Sequence, residues 1–231
     1  EIPLRLVGSE MCIRDSAMAA GASFIVAPGF DPEVCKHVID KGGIMMPGTA
    51  TAGEMQQAMN MGCEALKFFP AEANGGVGML KNIGAALKTC KWMCTGGVNA
   101  KNVNNYLGYN QIIAVGGTWM CKSDKIKAGA WDEITAMSRE AVDVMLGLEL
   151  GHIGINCADE AEAAKTAETI ASLLSMAVKP GNSSIFVGKK EFEIMKKPGR
   201  GTNGHIAILT NNVDRAIYHP VSYTHLTLPT K

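Results

Sequence analysis

Short, wholly apolar runs recur along the first two thirds of the chain, each followed by a stretch with helical spacing. Phe24-Ile25-Val26-Ala27 closes with Pro28-Gly29, and Asp31-Pro32-Glu33 then opens a helix through Val38 and Ile39. Asp31 suits the N-cap, and Pro32 the first helical position, where its missing N–H costs nothing. Gly42-Gly43 ends that helix and Ile44-Met45-Met46-Pro47-Gly48 reads as the next strand. The same grammar predicts a helix over 51–61, a strand over 65–69, a helix over 79–88 and a strand over 92–95. A short helix over 103–107, a strand over 112–115 and a helix over 131–146 complete the series. Strand starts near 24, 44, 65, 92 and 112 are 20 to 27 residues apart. Apolar runs without alternation belong to parallel strands buried on both faces. The pattern therefore predicts an α/β fold of repeated βα units, either a (β/α)8 barrel or a doubly wound sheet.

From Gly151 the grammar changes. His152-Ile153-Gly154-Ile155-Asn156 reads as a strand, residues 159–174 as a helix, and short strands are expected around 185–187 and 191–195. Gly204-His205-Ile206-Ala207-Ile208 then repeats Gly151-His152-Ile153-Gly154-Ile155 after 53 residues, with a helix expected from Asn211 to Ile217. Such a repeat indicates a duplicated module, here of βαβββ order, and the domain boundary is placed near residue 149. The expected organisation is a barrel-like domain over 17–149 and a second module over 150–220. Residues 6–16 show neither helical nor strand period, and 221–231 follow His219-Pro220 abruptly. Segments 1–16 and 221–231 resemble translated adapter sequence and are set aside as non-native. With no methionine at its start, the chain reads as a fragment.

Composition narrows the function classes. Apolar residues are 47% of the chain and charged residues 19%, enough for a sizeable core. Lys plus Arg equals Asp plus Glu at 22 each, so no basic field points to nucleic acid or an anionic membrane. No apolar run is long enough to cross a bilayer. Seven cysteines lie scattered without a CxxC pair or zinc-type spacing, as suits free thiols in a reducing cytoplasm.

The chemistry-bearing residues gather at the carboxyl ends of the expected strands, the face where barrel enzymes build their sites. Lys67 interrupts the apolar run Leu66-Lys67-Phe68-Phe69. A lysine at a strand end is ordinarily a solvated flank; a desolvated one is shifted toward the neutral, nucleophilic amine. Two successive strands end in Thr95-Gly96-Gly97 and Gly116-Gly117-Thr118. Glycine pairs serve tight turns, and they also let backbone N–H groups approach an anion closely. Downstream of an apolar lysine, the pairs favour a phosphate site.

At these residues the chain resembles the 2-dehydro-3-deoxy-6-phosphogluconate / 4-hydroxy-2-oxoglutarate aldolase family. Residues 66–76, Leu66-Lys67-Phe68-Phe69-Pro70-Ala71-Glu72-Ala73-Asn74-Gly75-Gly76, carry the resemblance best. Cys94-Thr95-Gly96-Gly97-Val98 and Val115-Gly116-Gly117-Thr118-Trp119 extend it, as do Phe24 to Gly29 and Met46-Pro47-Gly48. The resemblance implies a partial TIM barrel comprising the last five strands, and a class I, cofactor-independent lyase that releases pyruvate. It implies Lys67 as the Schiff-base lysine and Thr95 beside the reacting carbons. It further implies Phe69 against the pyruvoyl group and Gly96, Gly97, Gly116, Gly117 and Thr118 around the phosphate. Expected partners are a phosphorylated sugar acid or 2-keto acid, with a homotrimer for the intact parent. The proton-shuttling glutamate and the carboxylate-holding residues match nothing here, so this chain alone is expected to be inactive or nearly so.

The repeated Gly-His-Ile-x-Ile unit resembles the vicinal-oxygen-chelate superfamily, whose glyoxalase-like modules hold a divalent metal. That resemblance makes His152, Glu193 and His205 candidate ligands; the alternative is a metal-free module in which they are strand residues. Two further readings of the whole stand beside the aldolase: another phosphate-binding barrel enzyme, or a non-catalytic module that binds a sugar acid.

Overall fold

The computed structural model describes residues 11–221. It separates into two compact units, the first reaching Met145 and the second beginning at Leu146. The division falls a few residues before the expected boundary at 149, because helix α7 ends at Leu146 and the next strand starts only at Glu149.

The first unit begins with helix α1 (Met11–Ala19), strand β1 (Ile25–Val26) and helix α2 (Pro32–Asp40). Helix α1 starts inside the segment whose pattern suggested no element. Its Asp15 carboxylate pairs with His37 at 2.8 Å and Lys41 at 2.7 Å, contacts between segments that periodicity cannot register. Asp31 caps α2 as expected, accepting from the N–H groups of Glu33 and Val34. The strand expected over 44–48 is divided at Pro47 into β2 (Met45–Met46) and β3 (Gly48–Thr49). Proline has no N–H for a ladder; β2 pairs with β1, while β3 pairs in parallel with β4 (Ala65–Phe68). Between them lies helix α3 (Ala52–Asn60), started by a reciprocal Thr51–Glu54 capping box.

Helix α4 (Gly76–Ala86), strand β5 (Lys91–Thr95), helix α5 (Val103–Leu107) and strand β6 (Ile112–Gly116) follow. The unit closes with a short helix α6 (Ser123–Lys127), which periodicity missed, and α7 (Trp131–Leu146). Strands β3-β4-β5-β6 form one parallel sheet and β1-β2 a separate pair. The five expected βα steps are thus present, carried by two sheets. Leu66, Phe68, Trp92, Cys94 and Ile112 pack with Val34, Met55, Leu80 and Tyr106 in one buried cluster. Burial pushes the thiols of Cys90 and Cys94 up to about 12, so they behave as small hydrophobes.

The second unit contains β7 (Glu149–Asn156), α8 (Glu160–Leu174), β8 (Val178–Pro180), β9 (Ser184–Val187) and β10 (Phe192–Met195), the expected βαβββ order. Strand β11 (Gly204–Leu209) and helix α9 (Val213–Val221) complete it. The sheet runs β11-β7-β10-β9-β8, with β7 and β10 parallel and the remaining pairs antiparallel. Asp159 caps α8. Ala163, Ala167 and Ala171 recur every four residues and pack as one stripe with Ile185, Val187 and Ile194. Among the described residues no helix is long and apolar enough to cross a membrane.

Trp92 is fully buried in the middle of β5 and stacks on Tyr109, whereas Trp131 is 62% exposed. Trp92→Ala should cost about 3–5 kcal/mol of unfolding free energy, and Trp131→Ala less than about 0.5 kcal/mol. Urea denaturation of the two variants checks the contrast.

Candidate active site

Strand alternation places the lysine. In β4, Leu66 and Phe68 are buried, so Lys67 and Phe69 share the other face. The Lys67 N–H donates to Pro47 O at 2.9 Å, and its carbonyl accepts from the buried Thr49 hydroxyl at 3.2 Å. Both bonds fix the backbone and leave the amine free to enter the pocket. The Lys67 Nζ lies 4.5 Å from the centroid of the Phe69 ring. Burial lowers its pKa from the usual 10.5, because desolvation disfavours the ammonium.

Lys67 and Phe69 line a cavity of about 660 Å³ together with Thr95, Gly96, Gly97, Gly116, Gly117 and Thr118. All eight site residues expected for this unit therefore meet in one place. The parallel register accounts for this, since Lys67 lies opposite Met93 on β5 and Thr95 lies opposite Gly116 on β6. The Thr95 hydroxyl is buried and has no hydrogen-bond partner among the described residues.

The loop after β5 can be built only from glycine. Gly96 and Gly97 have φ of +91° and +87°, and a Cβ on Gly97 would stand 2.6 Å from Glu72 Cγ. Gly96 O accepts from the Glu72 N–H at 3.0 Å, and Gly97 O accepts from the side-chain amides of Asn99 and Asn102 at 3.0 and 3.1 Å. With those carbonyls held, the N–H groups of Gly96, Gly97, Gly117 and Thr118 have no acceptor among the described residues. Such a set of unpaired amides suits an anion. Glu72 also accepts from the buried Tyr106 hydroxyl, tying the loop after β4 to helix α5. Burial, then the Glu72 contact, raises the Tyr106 pKa.

Sequence reasoning missed Val98, Asn99, Trp119 and Lys122, which line the same cavity. Asn99 and Lys122 follow closely on the two glycine pairs, and that proximity was the available signal. Among the described residues no Asp or Glu lines the cavity.

In the second unit, His152, Glu193 and His205 come together from β7, β10 and β11. Gly154 explains how. It lies opposite Glu193 on one side and His205 on the other, and His152, two residues earlier, shares its face. A Cβ on Gly154 would stand 2.2 Å from the His205 ring. Glu193 Oε2 is 3.1 Å from His152 Nε2 and 3.6 Å from His205 Nε2, and the two Nε2 atoms are 3.0 Å apart. The Ser184 hydroxyl donates to Glu193 Oε1 at 2.8 Å, leaving Oε2 toward the histidines.

The chain matches the family model described as KDPG and KHG aldolase over residues 8–137. The 2-dehydro-3-deoxy-phosphogluconate aldolase of Treponema pallidum is 36% identical over 129 residues, which are 56% of this chain and 61% of that protein. The KHG/KDPG aldolase of Escherichia coli K12 is 34% identical over 147 residues, 62% of this chain and 69% of the relative. Among solved structures, a Legionella pneumophila KDPG aldolase with pyruvate captured as a covalent carbinolamine is 35% identical with a TM-score of 0.53. The match covers 55% of this chain and 62% of that one. The Zymomonas mobilis ZM4 aldolase with 3-phosphoglycerate is 31% identical, also with a TM-score of 0.53, over 57% of this chain and 62% of that one. The chain thus spans about three fifths of the length of these first relatives. A family model that takes in more than half of the sequence, including Lys67 and both glycine pairs, shows that this chain belongs to the KDPG and KHG aldolase family.

Proposed function

We propose that the first unit supplies the Schiff-base lysine and anion loop of a class I aldolase. The substrate is 2-keto-3-deoxy-6-phosphogluconate, 4-hydroxy-2-oxoglutarate, or both. The observation that carries this reading is the partly desolvated Lys67 amine, set over Phe69 in a cavity ringed by unpaired backbone amides. The pyruvate captured in the Legionella relative and the 3-phosphoglycerate bound to the Zymomonas relative support the two ends of the site.

In this reading the neutral Lys67 amine attacks the C2 carbonyl carbon, and loss of water from the carbinolamine leaves an iminium. The C4 hydroxyl gives up its proton as the C3–C4 bond breaks. That bond pair flows into the iminium, releasing an aldehyde and leaving an enamine on Lys67. Protonation at C3 and hydrolysis then free pyruvate and restore the amine. Phe69 packs against the pyruvoyl group, and the unpartnered Thr95 hydroxyl stands beside the reacting carbons. Gly96, Gly97, Gly116, Gly117 and Thr118 receive the distal anion. Because no carboxylate among the described residues lines the cavity, we expect imine formation and turnover to be separable in this chain, with slight turnover by the chain alone.

Borohydride reduction in the presence of pyruvate should label Lys67, giving the mass gain of one reduced pyruvate, and Lys67→Ala should abolish it. Desolvation lowers the pKa, so the neutral amine is available at lower pH than in a free lysine. The midpoint of the trapping rate should therefore lie below 10.5, with the rate rising with pH up to a plateau. Labelling that persists in Lys67→Ala, or a midpoint at or above 10.5, refutes the assignment.

A second reading concerns the other unit. We propose that His152, Glu193 and His205 hold a divalent metal of the zinc or nickel type, for which imidazole and carboxylate are suitable donors. Zinc ligands about 2.0–2.1 Å from the ion at tetrahedral angles lie roughly 3.3 Å apart, and the three separations here, 3.0 to 3.6 Å, bracket that value. Bound there, the ion would polarise an oxygen ligand, while Ser184 keeps the carboxylate turned toward the histidines. Titration of the purified chain with zinc should give one site per chain, lost in His152→Ala and in His205→Ala. At free zinc near 100 times Kd, binding should stabilise the unit by about 2.7 kcal/mol. Zinc binding that survives both substitutions excludes the site.

A further inference from the structure

Lys122 has no role in the imine chemistry, yet it lines the same cavity as Lys67 and both glycine loops. It is reached by a turn, in which the Cys121 N–H donates to Thr118 O at 3.2 Å and returns the chain to the cavity just before α6. One turn of helix further on, the Lys125 ammonium is engaged by Glu133 at 2.6 Å, whereas Lys122 has no acidic partner among the described residues. Among the described residues, Lys67 and Lys122 are the two charged side chains in the cavity lining. Lys67 enters the lining on β4, whereas Lys122 follows Gly116-Gly117-Thr118 by four residues and is tied back to that loop by the Cys121-to-Thr118 bond. Lys67 attacks as a neutral amine and passes through a cationic iminium and a neutral enamine, so its charge changes during reaction, whereas Lys122 takes no part in those steps.

From this arrangement we infer that Lys122 is a specificity-determining residue whose ammonium holds the anionic group at the far end of the substrate from the carbonyl that Lys67 attacks. The inference rests on the anion-loop reading of the site. Unpaired amides orient a phosphate but carry only partial charges, whereas a lysine adds a full charge on a flexible stem. A pocket with such a cation prefers a keto acid ending in a dianionic phosphate to one ending in a neutral hydroxyl. A shorter keto diacid lies between them.

The test uses the full chain and its Lys122→Gln, Lys122→Arg and Lys127→Gln variants, with two measurements on each. Inorganic phosphate and 3-phosphoglycerate are titrated calorimetrically at two salt concentrations, and pyruvate is trapped with borohydride. Lys122→Gln should bind both phosphate ligands roughly tenfold more weakly, the loss expected of one hydrogen bond to a charged group. It should also show a shallower salt dependence, with a much smaller loss in pyruvate trapping. Lys122→Arg should restore most of the affinity, and Lys127→Gln, outside the cavity, should match the unsubstituted chain in both assays. Unchanged phosphate affinity in Lys122→Gln overturns the inference, as does an equal loss in the two assays, which would mark a merely structural role. If the unsubstituted chain traps pyruvate but binds no phosphate, the anion-loop reading fails and Lys122 falls with it. Failure to trap pyruvate instead condemns the imine reading, so the two failures are distinguishable.

Discussion

The first unit depends on the alternation of β4, a strand that must satisfy two opposed demands in four residues. Leu66 and Phe68 anchor it to the buried cluster. Lys67, between them, is thereby held where its amine is partly stripped of water. A shift of one residue in register would bury the lysine among Trp92, Met55 and Leu80 and turn the apolar pair into the cavity. The bonds from Lys67 N–H to Pro47 and from the Thr49 hydroxyl to Lys67 O oppose that slip. The lowered pKa is thus a consequence of packing: the hydrophobic face of the strand places its nucleophile.

Glycine makes the same connection at the anion end. The left-handed geometry of Gly96 and Gly97 lets the loop turn sharply beneath Glu72, whose side chain occupies the space a Cβ would need. The Asn99 and Asn102 amides hold the Gly97 carbonyl. The amide N–H groups are left without acceptors among the described residues, and Lys122 lines the same cavity. In the second unit one glycine again decides the site: Gly154 has neighbours on both sides of β7, and its missing side chain leaves room for two imidazoles and a carboxylate on one face.

Much of this was legible in the sequence because the signals are local. Continuous apolar runs marked β1, β4, β5 and β6, and the cap at Asp31, with the helical stretches read from Thr51 and Asp159, marked helix starts to within a residue. The repeated Gly-His-Ile-x-Ile segment marked β7 and β11 as strands. Lys67, Thr95, Phe69 and the glycine pairs could be named because each sits at the end of an apolar run. The elements that escaped are short or lack a period of their own: α6 has five residues and β8 three, and α1 is tied through Asp15 to His37 and Lys41, far along the chain. The division at Pro47 likewise needed the partner strands to be known, since a missing N–H interrupts a ladder only once the ladder exists.

By itself, then, the sequence determined the order of most elements, the cap at Asp31, and which residues could carry a nucleophile or admit an anion. These are properties of a few neighbouring residues and their side-chain chemistry. Only the tertiary structure decided that Lys67 is partly desolvated, that Thr95 Oγ1 and four backbone amides lack partners among the described residues, and that Lys122 belongs to the same cavity. It alone brought His152, Glu193 and His205 together, across a register that sets Gly154 between β10 and β11. Solvation, hydrogen-bond satisfaction and convergence depend on groups far apart along the chain, and they exist only once packing has brought those groups together.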